Sequence, residues 1–273
     1  MSFFKTALLS CWLLCNSILY AQPTYTQYVN PFIGTGGHGH TFPGATLPFG
    51  MVQLSPDTRI DGSWDGCSGY HYSDSVLYGF SHTHLSGTGV SDYGDILLLP
   101  MNDEPALDES VPTATFSHNF ENATPGYYSV KLLADSIDVE LTSTLRTGMH
   151  RYTFNKPGLA YIYLDLNHRD KLTASNINIV YDSTIKVYRK SEGWAKEQIL
   201  YANIRFSKPF IQSKQLGNKK AVFVFSISEK ESIMAKVALS AVDDDGAERN
   251  MILENPDWNF EHIKLAAANK WNE

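Results

Sequence analysis

Tyr127-Tyr128-Ser129-Val130-Lys131-Leu132-Leu133, Ile137-Asp138-Val139-Glu140-Leu141 and His150-Arg151-Tyr152-Thr153-Phe154 follow one another with short intervals between them. In each, apolar or aromatic residues return at every second position, the period of a strand that turns one face to a core. Working outward, Ala160 to Leu166, Ile177 to Val180, Ile199 to Phe206 and Ala221 to Ile227 repeat that texture and are rich in β-branched and aromatic residues. Closely spaced strands of this kind pair antiparallel, so the stretch from about Thr113 to Ile227 predicts an all-β fold, an antiparallel β-sandwich.

The flanks differ from this centre. Lys5, the apolar run Ala7 to Tyr20 and the small residue Ala21 before Gln22-Pro23 have the order of a secretory leader. Residues 1–21 are therefore expected to be removed, and the mature chain, starting at Gln22, to be exported to the periplasm or the cell exterior. Leu8-Leu9-Ser10-Cys11 offers lipid attachment as the alternative. No later segment is long and apolar enough to predict a membrane span. From Gln22 to about Gly94, Gly, His, Tyr and Thr dominate, which predicts short strands joined by long structured loops. At the other end, Asn255-Pro256-Asp257 precedes Trp258, Phe260, Ile263, Leu265, Ala266 and Trp271, a helical spacing entered by proline. The predicted organisation is a sandwich over 22–250 and the start of a linker helix over 251–273. Its apolar side, around Trp258, Phe260 and Trp271, is expected to stand exposed for a domain that would follow. Asp243-Asp244-Asp245 reads as a solvated turn.

Composition narrows the function classes. Of 273 residues, 43% are hydrophobic and 19% charged, enough for a real core. The 22 basic residues against 29 acidic ones leave a formal charge of −7, and no basic cluster interrupts it, which argues against a nucleic-acid partner. Two of the three cysteines, Cys11 and Cys15, lie in the leader, so Cys67 alone remains and no internal disulfide forms.

The residues with chemical capacity crowd the first third. His38-Gly39-His40 and His82-Thr83-His84 each place two imidazoles on one side of an extended chain, for one metal or one ligand; ordinary loop hydrogen bonding is the other reading. Asp61-Gly62-Ser63-Trp64-Asp65-Gly66-Cys67-Ser68-Gly69-Tyr70-His71-Tyr72 combines aromatic rings, carboxylates and glycines, the groups that take the C–H face and the hydroxyls of a sugar. The same aromatics would equally serve to cap the sandwich. Asp57, Asp61, Asp65, Asp92 and Asp95 match no calcium-loop spacing, although a pair of them would be the acid and base that glycoside hydrolysis needs. Gly34-Thr35-Gly36-Gly37 and Gly87-Thr88-Gly89 lack the lysine and the helix of a phosphate loop.

Taken in order, these pieces resemble glycoside hydrolase family 92, the exo-acting α-mannosidases. The resemblance is carried by Tyr28-Val29-Asn30-Pro31-Phe32-Ile33-Gly34-Thr35, Gly37-His38-Gly39-His40-Thr41-Phe42-Pro43-Gly44-Ala45, Pro48-Phe49-Gly50-Met51-Val52-Gln53-Leu54-Ser55-Pro56-Asp57, Gly79-Phe80-Ser81-His82-Thr83-His84-Leu85-Ser86-Gly87-Thr88-Gly89 and Asp92-Tyr93-Gly94-Asp95. Gly126-Tyr127-Tyr128, Gly193-Trp194 and Phe206-Ser207-Lys208-Pro209-Phe210 continue it. It implies an N-terminal sandwich packed on a helical (α/α)6 domain, with the active site between them, where an inverting mechanism uses a general acid Glu, a general base Asp and Ca2+. Those catalytic residues and Ca2+ ligands belong to the helical domain, so none is assigned here and this chain alone is expected to be inactive. The partners implied are the α-mannosides of glycans, N-glycans among them, and the helical domain. The sugar-facing residues implied are Trp64 and Cys67, then His38, His40, His82, His84 and Asp92. The alternatives are a free-standing carbohydrate-binding module and a docking module for a separately encoded catalytic chain.

Overall fold

The computed structural model describes residues 24–273, and the predicted leader, 1–21, lies outside the described residues. Two antiparallel sheets stack face to face. One has seven strands in the order Ala45–Thr46, Gln53–Asp57, Gly79–Ser81, Leu97–Met101, Gly158–Asp165, Lys220–Ile227 and Gln212–Leu216. The other has eight, in the order Lys171–Tyr181, Thr184–Glu192, Gln198–Phe206, Glu231–Ser240, Thr147–Phe154, Ile137–Ser143, Tyr127–Leu132 and Glu121–Thr124. Every segment expected as a strand is one, and the sandwich is all-β as expected.

Alternation decides which side chains meet. Along Thr147–Phe154, Tyr152 and Phe154 point inward and are fully buried, while Arg151 points out. Phe206 of the eight-stranded sheet reaches across to Phe223 and Phe225 of the other, with ring centroids 5.4 and 5.3 Å apart, the tilted and edge-on geometries that aromatic quadrupoles prefer. The last strand of the larger sheet, Lys171–Tyr181, is mostly exposed and is bulged near Leu172 and Ile179, which blunts a free edge against further pairing.

Two helices lie on the outer face of the eight-stranded sheet. The first, α1 (Asp244–Glu254), is not a feature the sequence reading anticipated, and it corrects the solvated-turn reading of Asp243-Asp244-Asp245. Asp243 is its N-cap, accepting from the Gly246 N–H, while Asp244 and Asp245 occupy the positive end of the dipole. The expected boundary at 250/251 therefore falls inside a helix. The second, α2 (Phe260–Asn272), is the predicted helix.

Its apolar side is not left open as expected. Phe260, Ile263 and Ala267 are buried against Tyr127 and Met149, which face outward from the sheet. The Arg151 guanidinium lies 4.2 Å over the Phe260 ring and pairs with Glu140 and Glu261, at 2.6 and 2.8 Å. Gly126 passes so close that a Cβ there would come within 2.7 Å of Ala267. Trp258 is covered by the Lys236 ammonium, and the Trp271 indole N–H donates to the Thr46 carbonyl at 2.7 Å. The sheet's own outer face supplies the partner for Phe260, while Trp271 stays 38% exposed as expected and further apolar groups are exposed at Ile252, Leu253 and Leu265.

This docking predicts a contrast between two side chains of the same helix. Phe260→Ala removes a buried ring and should cost about 3 kcal/mol or more in urea unfolding. Leu265→Ala, at an exposed position, should stay within about 0.5 kcal/mol of the parent. Equal effects would refute the seating of α2.

Candidate functional site

At one end of the sandwich residues 24 to about 94 form a layer of loops stitched together by their own backbones. The Thr41 N–H donates to the Gly34 carbonyl, Tyr72 N–H to Thr35, Gly87 N–H to His40, and both Thr58 and Arg59 N–H groups to Gly69. His71 Nε2 donates to the Gly37 carbonyl at 3.0 Å. Arg59 forks onto Asp74 at 3.0 and 3.1 Å and donates to the Asp65 carbonyl, closing the 58–74 loop on itself.

The sequence candidates divide into an exposed rim and a buried base. Trp64 stands on the rim, 62% exposed, with His40 edge-on at 4.5 Å. One edge of its ring lies against Gly89, where a Cβ would come within 2.6 Å and where φ is +68°, so only glycine suits both the space and the backbone. His38 is exposed too; its Nδ1 meets Asp65 at 2.8 Å, and that hydrogen bond and charge raise the imidazole above its usual range. His40 keeps Nε2 buried with no hydrogen-bond partner among the described residues. Cys67 is buried just below, and burial pushes its thiol up, away from a nucleophile's range.

His82, His84 and Asp92 lie under this rim and their polar atoms are engaged by the protein. Of the two readings open for the second His pair, the loop hydrogen-bonding one describes its geometry. His84 gives Nδ1–H to the Gln53 carbonyl at 2.7 Å and sets Nε2 3.1 Å from Asp57. His82 meets the Ile96 carbonyl through Nδ1 at 2.6 Å and His150 through Nε2 at 2.9 Å. Asp92 accepts from the Trp194 and Ala195 N–H groups at 2.9 and 3.3 Å, which fixes the turn at Gly193.

Deeper still are two of the aspartates among which the sequence offered an acid and base pair, Asp57 and Asp95. Asp57 is fully buried and is contacted by Ser81, by His84 and His168 at 3.1 Å each, and by Arg169 at 3.4 Å. Burial alone would raise it, but the two imidazoles overcome that and hold its carboxyl well below the usual range. Asp95 is buried with Arg189, which also donates to the Leu166 and His168 carbonyls, and it accepts from Gln198 at 2.6 Å. Burial, reinforced by Asp92, pushes neighbouring Asp170 up to about 7 although the Tyr93 N–H donates to it at 2.9 Å.

Chemically, the layer is an exposed rim, with Trp64 and His38, over a base whose carboxylates are paired within the protein. Asp57, Asp92 and Asp95 are committed to the protein, Asp65 is bound to His38, and Asp61 accepts from the Ser63 N–H at the surface. Among the described residues no group of three or more His, Cys, Asp or Glu side chains is arranged to hold a metal ion. His168, Arg169, Arg189 and His150 were not singled out from sequence. For the first two the visible signal was a polar run, Asn167-His168-Arg169-Asp170, closing an apolar strand.

The model of one protein family, the glycosyl hydrolase family 92 N-terminal domain, matches residues 28–240. A solved family GH92 α-mannosidase from Bacteroides thetaiotaomicron is 34% identical and superposes with a TM-score of 0.83, covering 90% of this chain and 37% of its own. A GH92 inverting mannosidase from the same organism is 27% identical with a TM-score of 0.79, over 90% and 35%. An uncharacterized secreted glycosidase of Arthroderma benhamiae is 27% identical over 90% of this chain and 37% of its own. The chain thus spans little more than a third of the length of these relatives.

The buried histidines set the acid stability. Burial pushes His82 down to about 4, and burial together with His82 holds His150 well below 6.5. Unfolded, both take up protons as the pH falls through 6.5, whereas folded Asp170 retains a proton that the unfolded chain has lost. Between about pH 5.5 and 4.5 the unfolded state therefore binds two protons more and one fewer, a net of one. Stability should fall on acidification by roughly 1.4 kcal/mol per pH unit. His150→Gln removes one of the two imidazoles and should flatten that slope in urea unfolding at pH 6.5, 5.5 and 4.5. A flat profile in the parent would refute it.

Proposed function

The chain belongs to glycoside hydrolase family 92 as its N-terminal domain, and on that premise we propose that its loop layer forms the sugar-facing, leaving-group side of an α-mannosidase active site. The observation that carries this is Trp64: a large ring held at the surface against Gly89 and His40, with every neighbouring carboxylate of the base already committed. A flat apolar face beside imidazoles and backbone amides is what stacks on a pyranose and takes its hydroxyls. Trp64, His38 and His40 are the contacts; Cys67 underlies the Trp64 loop, while His82, His84 and Asp92 hold the layer in shape.

Inverting hydrolysis needs an acid and a base about 6.5–9.5 Å apart across the bound sugar. Asp57, Asp92 and Asp95 are too deeply engaged for either part, so the catalytic pair is proposed to sit on a helical domain that packs against this face. The described residues do not fit a Ca2+ ion, and its ligands are proposed to lie on that domain as well. Export of the protein is supported by the leader pattern of residues 1–21 and by the naming of the Arthroderma relative as secreted, and no helix among the described residues is long and apolar enough to cross a membrane.

Release of mannose from an α-mannobioside, with and without Ca2+, tests the reading. Residues 22–273 alone should release none. The same residues joined to the C-terminal two thirds of the 34%-identical Bacteroides enzyme should be active, and Trp64→Ala in that protein should raise KM about tenfold, the worth of one aromatic stack. Release by residues 22–273 alone would overturn the assignment, and saturable mannoside binding by them without turnover would favour a free-standing binding module.

A further inference from the structure

Arg169 has an unusual setting. Its backbone is left-handed, with φ at +61°, and its side chain is only 2% exposed. The guanidinium donates to the Cys67 carbonyl and, at 2.7 Å, to Ser91 Oγ, while its other amino group stands 3.4 Å from buried Asp57. Cys67 belongs to the loop that carries Trp64 and is bonded to it directly, its N–H donating to the Trp64 carbonyl at 3.3 Å. Ser91 belongs to the loop that carries Gly89, the residue against which the Trp64 ring rests. One planar cation thus holds both walls of the Trp64 seat.

The two loops are also cut to admit this side chain. A Cβ at Gly94 would come within 2.6 Å of the Arg169 stem, and a Cβ at Gly69 within 2.2 Å of Asp57 Oδ1 and 2.5 Å of the guanidinium. One glycine comes from each loop, and both have positive φ. At Gly94 the chain leaves a slot along the arginine stem, which a simple partner for Asp57 would not require, since His84 and His168 already face that carboxylate.

We propose that Arg169 is the positioning residue of the Trp64 platform, its guanidinium locking the Trp64 loop and the Gly89 loop into one register above Asp57. The importance of that register for mannosides rests on the function proposed above; the locking itself does not. Lysine offers a single ammonium, which lacks the fork by which Nη1 faces Asp57 while Nη2 holds both Cys67 and Ser91.

The test is the indole N–H spectrum of 15N-labelled residues 22–273, whose four tryptophans are Trp64, Trp194, Trp258 and Trp271. Arg169→Ala and Arg169→Lys should shift or broaden the Trp64 signal and raise its quenching by acrylamide, with Trp258 and Trp271 unchanged as reporters of the folded sandwich. An unmoved Trp64 signal in folded Arg169→Ala, or its full restoration in Arg169→Lys, would overturn the proposal. Where Arg169→Ala does not fold, Ser91→Ala decides: it cuts one of the two anchors at a single hydroxyl, and the Trp64 signal should move in the same direction by a smaller amount, while no movement would overturn the proposal. Titrating the parent with an α-mannobioside keeps the two readings apart, because absence of any mannoside response at Trp64 counts against the sugar assignment and leaves the locking by Arg169 as it was.

Discussion

A carboxylate removed from water has to be matched group for group by its surroundings, and Asp57 and Asp95 impose that condition on the whole loop layer. Asp57 gathers Ser81, His84, His168 and Arg169 from two separate segments; Asp95 gathers Thr83, Arg189 and Gln198. Three of those partners continue outward into other contacts. Arg169 reaches Cys67 and Ser91, Arg189 reaches the carbonyls of Leu166 and His168, and His84 reaches Gln53. The loops are ordered from the inside, because loss of one partner would strand a buried charge rather than merely loosen a surface turn.

The sandwich below has a different source of order. Its inter-sheet core is a continuous body of aromatic and branched side chains, and its stability follows from apolar area removed from water, which is tolerant of geometry. The helices add a second, smaller cluster on the outer face of the eight-stranded sheet, where Tyr127 and Met149 would otherwise meet solvent. The loop layer that carries Trp64 is thus built on hydrogen-bonded ions, while the bulk of folding free energy is collected elsewhere.

This division explains what could be read from the sequence. Strands with one buried face announce themselves by period, and all seven expected segments are strands. Glu231–Ser240 was passed over although it is central to its sheet: Lys236 interrupts its apolar run, and only the fold shows that this ammonium is satisfied by the Asn255 carbonyl and the Trp258 ring. Thr184–Glu192 was missed for the same reason, with Arg189 buried at a core position. Helix α1 was hidden by three aspartates that cap it rather than break it. At the site, Trp64 was legible from its own neighbourhood, a tryptophan among glycines and carboxylates. Arg169 was not, since Cys67 and Asp57 lie 102 and 112 residues away along the chain and no local pattern encodes such a meeting.

The contact between His82 and His150 carries one more consequence. The Ile96 carbonyl only accepts, so His82 must carry its proton on Nδ1 and offer a bare Nε2. His150 must then donate from its own Nε2, which leaves its Nδ1 to accept from the Tyr152 hydroxyl at 2.8 Å. Three protons therefore stand in a single file with one permitted direction, sealed between the sheets where no water reaches them. They exchange with deuterium only when this buried file opens to water, which makes it a clock for the parting of the base of the loop layer from the sandwich beneath it.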